Sequence, residues 1–100
     1  MTTSENTPLI ESSGNVFEDL GFSKKESENL RIRSELMISI RKRIEELDLT
    51  QEEAARRMRV SQPRVSDLFR GKINRFSTDA LINMATSLNI SIHMTFDKTA

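Results

Sequence analysis

One hundred residues, 36% of them hydrophobic and with a formal net charge of zero, allow one compact domain and an arm but not two full cores. The absence of cysteine excludes a disulfide framework, a thiolate metal site and a cysteine nucleophile, and fits a reducing, cytoplasmic setting. One histidine, three scattered glycines and no Trp or Tyr do not assemble a catalytic constellation, so neither an enzyme nor a cofactor is expected.

The chain opens on "MTTSENTPLIESSGN", which has no basic start and no apolar core and does not read as a signal peptide. No run of eighteen apolar residues occurs anywhere, so no membrane partner is expected. Segments this rich in Ser, Thr, Glu and Asn cannot repay their ordering entropy. Residues 1–22 therefore read as an arm that is disordered alone or ordered by a partner. Within it, "NVFEDLGF" gathers Val16, Phe17, Leu20 and Phe22 beside Glu18 and Asp19. Two readings stay open. The cluster anchors in a partner's groove, or it folds back, with Leu20 and Phe22 stapling the first turn of the next helix.

Residues 23–89 carry the signals of a helical domain. Ser23 with Glu26 is a capping box that predicts a helix from Lys24 to Asp48. Leu30, Met37, Ile40, Ile44 and Leu47 form its apolar stripe, Ile32 and Leu36 a second one, and a break near Ser34 stays open. Thr50 with Glu53 opens a helix through Met58. Ser61 caps another, with Pro63 in its first turn, Val65, Leu68 and Phe69 inward, and a stop at Gly71. Ser77 caps the last, whose buried stripe is Leu81, Ile82, Met84, Ala85 and Leu88. Met37, Met58, Met84 and Met94 all read as core. Then the period changes. In "ISIHMTF", Ile90, Ile92, Met94 and Phe96 alternate with Ser91, His93 and Thr95, so residues 90–97 are expected to be a strand. A single strand needs a partner, either the same strand of a second chain or the N-terminal arm. The expected fold is mainly α: four to five helices with a C-terminal strand.

The zero net charge hides a segregation. Residues 1–30 hold two Lys against six Asp and Glu, while residues 31–75 hold twelve Lys and Arg against seven acids, a net of +5. A basic middle between acidic ends suits a polyanion. It contains "LTQEEAARRMRVSQPRVSDLFRGK", Leu49 to Lys72, two short helices separated only by "RVS". Helices joined so tightly cross steeply, and that geometry presents the second to a DNA major groove. Ala54 and Ala55 permit close approach, and Val60, Val65 and Leu68 lock the pair. Gln62, Arg64, Ser66, Asp67 and Arg70 then point outward. "RKR", Arg41 to Arg43, reads as a solvated helix face, and lone His93 carries no metal or catalytic role.

This stretch resembles the Cro/phage-repressor (XRE) helix-turn-helix family. Thr50-Gln51, Ala55, Val60, Ser61-Gln62, Val65, Leu68 and Gly71-Lys72 carry the likeness, and Arg59 stands where the family usually has a turn Gly. The flank "SGNVFEDLGFSKKESENLRIRSELMISIRKRI" is similar to the HigA-type antitoxin branch, extending the resemblance over residues 13–95. The resemblance implies a repressor that binds double-stranded operator DNA in its own promoter and neutralises a small basic RelE/ParE-like toxin. The alternative is a free-standing regulator without a toxin. The side chains suit those roles. Gln62 can pair with adenine, Arg64 with guanine, and Asp67 can accept from cytosine N4 unless it pairs with Arg64 or Arg70 instead. Pro63 offers apolar contact to a thymine methyl. Gln51, Ser61 and Ser66 suit phosphate, and Arg70, Lys72 and Arg75 the flanking backbone. Val16, Phe17, Leu20 and Phe22 are the expected toxin contacts. One recognition helix reads few bases, so a homodimer is expected, joined through Ile90, Ile92, Met94 and Phe96.

Overall fold

The computed structural model describes residues 16–98. They form α1 (Val16–Asp19), α2 (Lys24–Glu46), α3 (Gln51–Met58), α4 (Gln62–Phe69), a 3-10 turn (Ile73–Arg75) and α5 (Thr78–Ser87). The expectations for residues 1–15, the polar part of the arm, lie outside the described residues.

Helix starts follow the side-chain caps. At α2 the Glu26 amide donates to Ser23 Oγ (3.1 Å) while the Ser23 amide donates back to Glu26 Oε1 (3.4 Å). At α3 the reciprocal pair is Glu53 to Thr50 Oγ1 (3.1 Å) and Thr50 to Glu53 Oε1 (2.8 Å). Ser61 and Ser77 accept from the Arg64 and Ala80 amides at 3.3 and 3.1 Å. Each cap satisfies amides that the helix itself leaves unpaired. Helix α2 runs unbroken for 23 residues. Buried Ser34 causes no break because its hydroxyl donates to the Arg31 carbonyl one turn back (3.1 Å).

Helix ends share one device. Gly21, Asp48, Arg59, Gly71 and Asn89 all have positive φ. The next amide then bonds five residues back: Phe22 to Phe17, Leu49 to Ile44, Val60 to Ala55, Lys72 to Asp67 and Ile90 to Ala85, all at 3.0–3.1 Å. This closure satisfies terminal carbonyls and turns the following residue inward. Leu49, Val60 and Ile90 accordingly pack against the core.

The core lies where α2 crosses the others. Met37, Ile40 and Ile44 meet Leu81, Met84 and Ala85 of α5 and Leu88 just after it, while Ala54, Ala55 and Met58 of α3 meet Val65 and Leu68 of α4. Phe76 is the largest fully buried side chain. It follows the 3-10 turn, which periodicity does not signal, and burial of such a ring stabilises by about 1.5–3 kcal/mol.

Several expectations are corrected. Ile82 lies on the outer side of α5, 39% exposed, because the stripe of Leu81, Met84, Ala85 and Leu88 already fills the inner face. Residues 90–98 have no regular structure, and no strand occurs among the described residues. The alternation is present, but a strand's amides and carbonyls need a neighbouring ladder, and none of the described residues forms one alongside. Met94 is 61% exposed and is not core. Ile92 and Phe96 are exposed too, and only Ile90 tucks in. In the arm, Phe17 and Phe22 meet edge to face with centroids 6.3 Å apart, and α1 lies against α2. Leu20 faces solvent at 66% exposure and staples nothing.

Candidate nucleic-acid interface

The α3–α4 pair is a wedge built from the turn outward. Arg59, at φ 59° and ψ 43°, reverses the chain after α3. Ser61 caps α4, and buried Val65 and Leu68 fix its inner face. The outer face starts at Gln62, whose Nε2 donates to Gln51 Oε1 (2.9 Å). That bond ties together the first residues of both helices, where free amides and the dipoles favour an anion. Gln62, Pro63 and Arg70 are exposed, whereas Arg64, Ser66 and Asp67 are half-buried. Gln62 retains its carbonyl oxygen and one amide hydrogen for a base edge or phosphate.

Deeper in the face, three charged side chains form a chain of contacts. The Arg64 guanidinium lies over the Phe76 ring, 4.5 Å from its centroid, and its Nη1 donates to the Arg75 carbonyl (2.8 Å). Arg75 Nη1 in turn pairs with Asp67 Oδ2 (3.1 Å). Asp67 thus has an intramolecular partner, Arg75, and not the Arg64 or Arg70 weighed from the sequence. Arg75, expected on the DNA backbone, is engaged yet its side chain keeps 60% exposure. Arg70 and half-buried Lys72 follow α4 directly.

Around the wedge, Arg56 and Arg57 close the last turn of α3 and are exposed, adding positive charge where the helix dipole welcomes it. The Glu53 carboxyl is held below its ordinary range by hydrogen bonds from the Thr50 backbone and side chain. On α2, the hydrogen bond from Arg31 lowers Glu28 in the same way. Both favour ionised, structural carboxylates over proton-transfer groups.

Sequence reading missed the arginines that hold this surface. Arg41 is not merely solvated: it lies over the Phe69 ring (5.3 Å to the centroid) and donates to the Phe69 carbonyl (3.3 Å) at the end of α4. Arg43 Nε donates to the Leu88 carbonyl (3.0 Å) after α5. Arg33 Nη1 bridges the carbonyls of Ile73 (3.0 Å) and Phe76 (3.2 Å) around the 3-10 turn. The available signal was position. Arg33 and Arg41 sit four residues to either side of buried Met37, where long side chains lie along the core edge and reach past it.

Among the described residues, no helix is long and apolar enough to cross a membrane. No curated protein matches the chain. A family model described as a helix-turn-helix domain matches residues 16–96, covering α1 through most of the tail. The chain therefore belongs to that helix-turn-helix domain family.

Proposed function

We propose that this protein is a sequence-specific DNA-binding repressor of the XRE type, working as a homodimer and as the antitoxin of a toxin–antitoxin pair. The observation that carries the DNA-binding reading is the Gln51–Gln62 bond at the shared, exposed N-termini of α3 and α4. It pre-positions Gln62 for an adenine edge beside Gln51 and Ser61 for phosphate, with Arg64 for guanine one position beyond Pro63. Arg70, Lys72 and Arg75 supply the flanking positive charge. Two copies would present two such helices to a palindromic operator. The exposed apolar side chains of Ile92, Met94 and Phe96 are the surface for joining them, with Ile90 anchoring the start of the tail on the core.

The antitoxin reading draws on the arm. Leu20 is exposed beside Glu18 and Asp19, an apolar group with acidic neighbours suited to a small basic toxin of the RelE/ParE kind, while Val16, Phe17 and Phe22 complete the contact. The second reading, a free-standing regulator, is favoured by the Phe17–Phe22 contact, which folds part of the cluster back on the protein itself.

One titration separates them. The chain is mixed with a duplex from its own promoter, with and without the protein of the adjoining reading frame. Gln62→Ala and Arg64→Ala should each cost about 1–3 kcal/mol on the promoter duplex and far less on a scrambled one. Equal losses on both duplexes would remove base reading. A chain lacking residues 1–18 should keep the DNA and lose the partner. Full retention of the partner would move the inhibitory surface to the helical domain, and no partner at all would leave the free-standing regulator.

A further inference from the structure

Asp67 stands at the end of a short relay that terminates on Arg64. Its carboxylate, on a side chain only 20% exposed, holds Arg75 Nη1 at 3.1 Å. The Arg75 carbonyl takes Arg64 Nη1 at 2.8 Å, and the next residue, Phe76, supplies the ring under the same guanidinium at 4.5 Å. The ring is 2% exposed, so the platform is rigid. Behind it, Arg33 grips the Ile73 and Phe76 carbonyls, fixing the backbone that carries both Arg75 and Phe76. A guanidinium has five N–H donors, and this arrangement uses one while leaving the rest for a base edge.

From this geometry we propose that Asp67 is a positioning residue: it sets the base preference of Arg64 through Arg75 without itself reading a base. The inference rests on the DNA-binding reading above. A long, free arginine can swing to phosphate or to either of two neighbouring bases. An arginine stacked on Phe76 and tied to a carbonyl presents the same edge each time, and its ordering cost is met before DNA arrives. Asp67 contributes by clamping the Arg75 side chain across α4, which holds that carbonyl in place. A carboxylate with one oxygen already occupied by Arg75 and most of its surface covered is poorly placed to accept from cytosine as well.

The test is selection from a randomised duplex library by the full chain and by Asp67→Asn, Arg64→Ala and the double variant. Each is then titrated against the enriched duplex and a scrambled one. Asp67→Asn removes a negative charge near phosphate, so it should tighten both duplexes. The informative quantity is therefore the preference at each base position. We expect Asp67→Asn to relax preference about tenfold at the same single position that Arg64→Ala relaxes, and to add nothing further in the double variant; tenfold corresponds to 1.4 kcal/mol. In the free protein, the Arg64 Nη1–H protons bonded to the Arg75 carbonyl should exchange faster with water in Asp67→Asn, while the unfolding midpoint stays near that of the parent. Relaxation at a different position, or full additivity, would show that Asp67 reads a base directly and would overturn the proposal. If the parent enriches no motif, the DNA-reading proposal itself falls, and this one with it. If Arg64→Ala leaves every position unchanged while a motif persists, only the relay is wrong.

Discussion

Arg59 occupies a conformation in which its Cβ crowds the following carbonyl, at a cost of about 1–2 kcal/mol for an ordinary residue. Asp48 and Asn89 sit in the same region, but their short polar side chains tolerate it better. Arg59 has no such excuse. Replacing it with Gly removes the strain and returns part of the gain as unfolded-state entropy. Arg59→Gly should therefore stabilise the fold by roughly 0.5–1 kcal/mol, read as a rise of a few degrees in the thermal midpoint. A midpoint that stayed put or fell would mean that the Arg59 side chain contributes something the contacts do not account for. Its position in the turn of the wedge makes DNA phosphate the first place to look.

At the level of elements, α4 depends on α2 through Arg41 as well as through buried Val65 and Leu68. The Arg41 guanidinium both stacks on Phe69 and caps its carbonyl, contacts worth about 1–2 kcal/mol together in a half-buried setting. Arg41→Ala should lower unfolding stability by that amount in urea, and Arg41→Lys should recover only part of it. A loss confined to a few tenths would demote the contact to surface decoration. This link also shows what the sequence could and could not disclose. The starts of α2, α3, α4 and α5 were legible because a cap is a bond between residues three apart. The grips of Arg33, Arg41 and Arg43 span 28 to 45 residues and depend on how α2 lies across its neighbours. The 3-10 turn left no periodic trace, so Phe76 went unnoticed. In the tail the alternation was visible, but whether it pairs depends on a strand that the described residues do not supply. Of the candidate interface, Gln62 and Pro63 on α4 and Arg70 just after it were legible as exposed positions, whereas the Asp67–Arg75 pair was not, because the turn that brings Arg75 back was not.

For the whole molecule, the segregation of charge is the feature with the widest reach. The segment from 31 to 75 carries a net +5 within a neutral chain, so attraction to a polyanion is concentrated there. Affinity should fall steeply with salt. Arg70→Ala and Lys72→Ala should each reduce the slope of log K against log salt by about one unit per copy, weakening specific and scrambled duplexes alike. An unchanged slope would place those side chains away from phosphate. The tail adds an oligomeric question to the electrostatic one. A chain ending at Asn89 lacks Ile92, Met94 and Phe96, and sedimentation should then find monomers. A persisting dimer would assign the contact to the helices.

The grips of α2 have a consequence for how such a domain changes over generations. Arg33, Arg41 and Arg43 each take hold of neighbouring segments by main-chain carbonyls: those of Ile73 and Phe76, of Phe69, and of Leu88. A carbonyl is present whatever side chain a position carries. Under the proposed DNA-reading role, mutations on the outer face of α4 can therefore alter base preference without disturbing these grips. On that reading, operator preference can then change one substitution at a time on α4 while α2 keeps its hold on the backbone of its neighbours.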